Sequence, residues 1–83
     1  MADKDIIEGR GRVDDCLPGA KFKVILTELA ENELPEGDQK EVLCTISGRM
    51  RKNRVRILPG DVVRLEISVY DLEKGRIVFR EKV

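Results

Sequence analysis

"VVRLEISVY", residues 62–70, is the stretch that decides the fold. Val63, Leu65, Ile67 and Val69 fall on one face, and Arg64, Glu66, Ser68 and Tyr70 on the other. Side chains alternate across a strand, so this pattern predicts a strand with one buried face. The same period recurs in "KFKVIL" (21–26), where Phe22, Val24 and Leu26 oppose Lys21 and Lys23. It recurs again in "GRIVFR" (75–80), with Ile77 and Phe79 set against Arg76, Val78 and Arg80. "EVLCTIS" (41–47) is short, apolar and β-branched and predicts a further strand. "IIEGRGRVDDC" (6–16) is the first strand. Gly9 and Gly11 share one of its faces and mark a bend or a close backbone approach.

Turn chemistry separates these runs. "LPG" (17–19) divides strands 1 and 2, and "LPGD" (58–61) stands before strand 4. "YDLEKGR" (70–76) reads as a hairpin loop with Gly75 available for positive φ. "TELAENELPEGDQKE" (27–41) reads as an extended acidic loop, where Pro35 would stop any helical turn in "AENEL". Asp61 and Asp71 suit Asx-type hydrogen bonds in their turns. The acid-rich start, residues 1–5, is expected to fray. Five short strands without a long helix predict an all-β fold, a five-stranded antiparallel barrel of the oligonucleotide/oligosaccharide-binding (OB) type. A short helical turn or basic loop joins strands 3 and 4. An SH3-like barrel is the alternative.

At 83 residues the chain is one domain, 1–83, with little core to spare for a deep pocket. It has no histidine, which removes the commonest general base and metal ligand. No Ser sits in a Gly-flanked elbow, and the adjacent Asp14 and Asp15 face opposite ways on a strand, so no catalysis is expected. Cys16 and Cys44 lack metal-ligand spacing and are expected as reduced, half-buried thiols. No cofactor is expected. No apolar run approaches the roughly 20 residues of a membrane span, and "MADKDIIEGR" is not a signal peptide. The expectation is a cytoplasmic monomer with no membrane partner.

The zero net charge hides an asymmetry. Residues 1–48 carry 6 basic and 11 acidic side chains, and residues 49–83 carry 10 and 5. Arg49, Arg51, Lys52, Arg54 and Arg56 crowd into eight residues, and no acid lies between Glu41 and Asp61. A solvated helix normally mixes signs, so this run points to a polyanionic partner. Met50 and Val55 are expected to anchor the run to the core.

"ISGRMRKNRVRILPGD" (46–61) followed by "VYDLEKGRIVFR" (69–80) closely resembles bacterial translation initiation factor 1. "IEGRGRV" (7–13) and "CLPGAKFKV" (16–24) extend the resemblance over nearly the whole chain. It implies an OB barrel that binds the small ribosomal subunit at its A (decoding) site through ribosomal RNA, beside a neighbouring ribosomal protein. Such a factor keeps elongator tRNA out and supports the other initiation factors. Two features depart from the family pattern. The stretch 27–41 replaces a short Asn-Gly-like hairpin, and Arg54 stands where the family often has an aromatic residue or His.

The RNA-binding candidates are Lys23, Gly48, Arg49, Arg51, Lys52, Asn53, Arg54, Arg56, Arg64, Tyr70, Arg76 and Arg80. Arg and Lys release counterions from phosphates, Arg forks across two oxygens, and Gly48 lets the backbone approach closely. Arg64 has an alternative in an ion pair with Glu66 or Glu81. Tyr70 either stacks on a base or caps the barrel through its hydroxyl. Phe22 and Phe79 are expected in the core. Two rival functions remain. A single-stranded RNA chaperone of cold-shock type would show several exposed aromatic residues, and a protein adaptor would bind through acidic residues 27–41.

Overall fold

The computed structural model describes residues 5–52 and 56–81. The strands are β1 (Ile6–Leu17), β2 (Lys21–Leu29), β3 (Asn32–Glu33), β4 (Lys40–Ile46), β5 (Val62–Ser68) and β6 (Asp71–Glu81). One short helix, α1 (Gly48–Lys52), joins β4 to β5. Five strands close in the order β1-β5-β6-β4-β2 and back to β1, while the two-residue β3 pairs with the end of β2. The expected all-β barrel is present, and closure removes the exposed edges a sheet this small would offer.

The alternation has the predicted effect along β2 and β5. Phe22, Val24 and Leu26 turn inward, as do Val63, Leu65 and Ile67. Val13, Val42, Cys44 and Ile77 complete the barrel interior. Each such burial is worth about 1.5–3 kcal/mol. β1 serves two partners, β5 along its first half and β2 along its second. It bends at register shifts between Arg10 and Gly11 and between Val13 and Asp15. A Cβ on Gly11 would meet the Ile25 carbonyl oxygen and Val24 Cγ1 at 2.6 Å, so the expected close approach is real.

Several expectations are corrected. β4 and β6 run parallel, with Leu43–Ile46 opposite Lys74–Ile77. A closed ring with an odd number of strands cannot alternate direction all the way round, so one neighbouring pair must be parallel. Phe79 is 56% exposed and lies outside the core. Arg64 faces Phe79 while Leu65 faces Ile77, so Val78 is an extra residue. A bulge inverts the faces beyond it, which turns Phe79 out beside Arg64. Val69 is exposed because it belongs to the turn after β5 rather than to the strand.

Residues 70–76 are not a loop. Only Val69 and Tyr70 turn, and β6 starts at Asp71. Gly75 does not have positive φ; it sits where β4, β5 and β6 crowd, and an added Cβ would lie 3.2 Å from Leu65 Cδ1 and 3.3 Å from Cys44 Sγ. The stretch 27–41 is shorter as a loop than expected. β2 continues to Leu29, a tight turn at Ala30–Glu31 leads into β3, and a 3-10 turn covers Glu36–Asp38. The helical turn follows Pro35 rather than preceding it. The Leu34 N–H donates to the Thr27 carbonyl at 2.9 Å, and the Leu34 side chain packs against the core. Of the N-terminal residues expected to fray, 1–4 lie outside the described residues. The Asp5 carbonyl accepts the Val69 N–H at 3.0 Å.

Candidate nucleic-acid interface

The basic run is tied down at both ends. At its start, the Ser47 N–H donates to the Ile77 carbonyl at 2.9 Å, and Ser47 Oγ accepts the Met50 N–H at 3.3 Å. Ser47 is thus the N-cap of α1. Met50 is buried in the core cluster, as expected. Val55, the second expected anchor, lies outside the described residues, and Ile57 is the buried residue on that side. The end is clipped to β1, where Gly60 N–H donates to the Val13 carbonyl and Val13 N–H to the Asp61 carbonyl, both at 2.8 Å. Gly60 has φ 95°, as a turn with Pro59 before it requires. Asp61 Oδ2 accepts the Leu58 N–H at 2.8 Å, as expected for a turn residue, whereas Asp71, whose Oδ1 accepts the Glu73 N–H at 3.2 Å, is the first residue of β6.

The described residues on either side of 53–55 thus lie at one mouth of the barrel, Ser47–Met50 on the β4–β6 side and Gly60–Asp61 on the β1 side. α1 has no acidic residue in its first turn. Arginine near a helix N-terminus opposes the macrodipole, so helix stability does not account for the cations there. Gly48 and Lys52 are exposed at the ends of α1, and Arg56 is exposed after it. Among the described residues, neither Lys52 nor Arg56 makes an ion pair. Arg49 and Arg51 belong to α1. Asn53 and Arg54 lie outside the described residues.

The remaining candidates are arranged differently. Arg64 Nε lies 2.6 Å from Glu81 Oε2, which also receives Arg10 at 3.1 Å. Arg76 pairs with Glu66 at 2.7 Å, and Arg80 Nε with Asp61 Oδ2 at 3.1 Å. These pairs are partly solvent-exposed and worth at most about 1 kcal/mol each, so a phosphate can compete for them. Arg80 sits at the mouth where the basic segment starts and ends, held by the same Asp61 that closes its turn. Lys23 is half-buried on the outer wall of β2. Tyr70 is 81% exposed at the β5–β6 turn, the opposite mouth, and its hydroxyl reaches Asp5 Oδ1 at 3.4 Å. The structure does not bring Tyr70 together with the basic run.

Three contributors escaped the sequence reading. Ser47 had a usable signal, a serine directly before a short polar run. Ile57 sits in an apolar pair, Ile57–Leu58, with nothing local to say which member turns in. Phe79 had no signal, because a bulge is invisible to alternation.

The mouth where the basic segment starts and ends also carries Lys21 and Arg80. The other mouth carries the β2–β4 connection, whose residues 28–41 hold six acids and one lysine.

The thiols are unlike one another. Cys44 is fully buried, and burial pushes its pKa up to about 12. Cys16 is exposed; desolvation, then Asp15 and Asp61, raises it. Both face Phe22 from opposite neighbouring strands. Two strand spacings, roughly 8–10 Å around a curved wall, exceed the span of a disulfide. No group of three or more His, Cys, Asp or Glu side chains is placed to hold a metal among the described residues. No helix among them is long and apolar enough to cross a membrane.

The fold has solved relatives. The chain is similar to the solution structure of translation initiation factor 1 from the wolbachia endosymbiont strain TRS of Brugia malayi. That similarity has a TM-score of 0.69 and 36% identity, covering 96% of this chain and 83% of that one. It also resembles YjeQ from Thermotoga maritima, with a TM-score of 0.63 and 20% identity over 90% of this chain and 23% of that one, which bears on fold alone. The model of the family described as "Translation initiation factor 1A / IF-1" matches residues 4–83. A family-model match over residues 4–83, together with 36% identity to a solved initiation factor 1 across 96% of the chain, places the chain in the translation initiation factor 1A / IF-1 family.

Proposed function

We propose that this initiation factor binds the small ribosomal subunit at its A (decoding) site and so blocks elongator tRNA while supporting the other initiation factors. It does so in the cytoplasm, as a monomer and without catalysis. The observation that supports this most is the basic segment itself, capped by Ser47, anchored by Met50 and Ile57, with Lys52 and Arg56 exposed and unpaired among the described residues.

The RNA contacts would centre on Gly48, Arg49, Arg51, Lys52, Asn53, Arg54 and Arg56. Arg80 stands beside them, and Lys23, Arg64 and Arg76 extend the contact along the outer wall. Phe79, exposed next to Arg64, adds a ring for stacking. Tyr70 lies at the far mouth and joins only if the RNA wraps the barrel. A cold-shock type of chaperone is disfavoured. Its stacking platform needs adjacent rings, and Tyr70 lies in the turn before β6 while Phe79 lies near the far end of that strand.

Chemical footprinting of ribosomal RNA in small subunits, with and without the protein, tests the reading. Protection at the decoding site is expected, and diffuse protection would instead mark a general RNA binder. Replacing Arg49, Arg51 and Lys52 together with Ala should abolish binding with the barrel intact. If about five cations meet phosphates, the log–log salt slope is roughly −3.5 to −4.5. Complex formation unweakened by potassium chloride would refute the proposal.

A further inference from the structure

Asp61 is the one acidic residue between Glu41 and Glu66, and it stands beside the basic segment. A carboxylate in that place repels phosphate. Its contacts give it a different task. The side chain is only 16% exposed. Oδ2 accepts the Leu58 N–H at 2.8 Å and lies 3.1 Å from Arg80 Nε. The main chain adds two bonds, from the Asp61 N–H to the Leu58 carbonyl at 3.1 Å and from the Val13 N–H to the Asp61 carbonyl at 2.8 Å. One residue thus joins the turn that ends the basic segment, the middle of β1, and Arg80 near the end of β6.

Arg80 and the basic segment come from different elements, so nothing in the local chain fixes one cation against the others. An unheld arginine samples many rotamers and gives up that freedom when a ligand immobilises it. The pair with Asp61 limits those rotamers before any ligand arrives. It engages the guanidinium at Nε, which leaves the edge formed by the two Nη groups to fork across a phosphate. We propose that Asp61 is a positioning residue for RNA binding: it holds the Arg80 guanidinium in register with the exit of the basic segment, so that both meet neighbouring phosphates together. The inference rests on the RNA reading of this mouth and deepens it. A residue that only closed its turn would behave differently, and Asp61→Asn separates the two roles by sign. The amide oxygen still accepts the Leu58 N–H, so the turn survives, while the charge that holds Arg80 is gone. A turn residue stripped of a negative charge beside phosphates should leave binding unchanged or tighter. A positioning residue should leave it weaker, although the chain has gained net positive charge.

The test measures binding of the full chain to small ribosomal subunits over a range of potassium chloride, for the parent, Asp61→Asn, Arg80→Gln and the double variant. Asp61→Asn should weaken binding about five-fold and flatten the log–log salt slope by about 0.7–0.9, the share of one phosphate contact. Arg80→Gln should cost at least as much, and the double variant should be no weaker than Arg80→Gln alone, because Asp61 acts through Arg80. A loss caused by a melted turn would persist in the Arg80→Gln background and would overturn the inference. Asp61→Asn binding as tightly as the parent, or more tightly, would also overturn it and leave the RNA reading standing. A parent chain that failed to bind small subunits would overturn the RNA reading and this inference with it.

Discussion

Ser47 Oγ accepts the backbone N–H of Met50 at 3.3 Å, and this bond starts the helix that carries Arg49, Arg51 and Lys52 of the basic run. Ser47→Ala should lower unfolding stability by about 1 kcal/mol, the usual value of an N-cap. The urea midpoint checks this. Affinity for small ribosomal subunits should fall as well, because the cations lose their fixed register. A variant that matched the parent in both measurements would show the cap to be idle.

Phe79 and Ile77 stand two residues apart on β6 yet should respond oppositely to truncation. Ile77 is fully buried, so Ile77→Ala should cost about 2–5 kcal/mol of stability. Phe79 is more than half exposed, so Phe79→Ala should change stability by no more than about 0.5 kcal/mol. If its ring stacks on RNA, the same change should weaken subunit binding by about 1–3 kcal/mol. Thermal melts and filter binding on both variants separate the two roles.

The β2–β3 turn is built from residues poorly suited to it. Ala30 and Glu31 have φ 51° and 67°, the left-handed region a type I′ turn demands of both central positions. Asn and Gly adopt it at far lower cost. Ala30→Asn with Glu31→Gly should therefore stabilise the protein by about 1–2 kcal/mol, raising the thermal midpoint by several degrees. A lowered midpoint would mean that Ala30 or Glu31 makes a contact worth more than its strain.

Glu81 links acid stability to the outer wall. The hydrogen bond from Arg64 holds its carboxyl below the ordinary carboxylate value, with help from Arg10. A depressed carboxyl stabilises the fold at pH above its unfolded value and loses that contribution as pH falls through its folded value. Stability of the parent should thus decline more steeply than that of Glu81→Gln across that acidic window. Paired urea titrations at stepped pH measure the difference. The effect is small because the pair is solvent-accessible. Identical pH profiles would show that the pair contributes nothing.

Much of the barrel was legible because alternation is local. Lys21–Leu26 and Val62–Ser68 each keep one phase from end to end, so inward and outward residues could be assigned directly. The cation cluster was legible for the same reason, as it occupies consecutive positions. The tight turns at Pro18–Gly19 and Pro59–Gly60 were legible from backbone chemistry alone.

By itself, then, the sequence determined the strand faces between bulges, the turns, and the concentration of positive charge on one segment. Tertiary structure decided the rest. It turned Phe79 outward, placed Gly75 inside a strand, chose Glu81 over Glu66 for Arg64, joined Arg76 and Arg80 to Glu66 and Asp61, and sent the acidic connection to the mouth opposite the basic one. These outcomes depend on register, which is set by pairing between distant strands. A single extra residue such as Val78 inverts every face beyond it and leaves no mark in the local pattern.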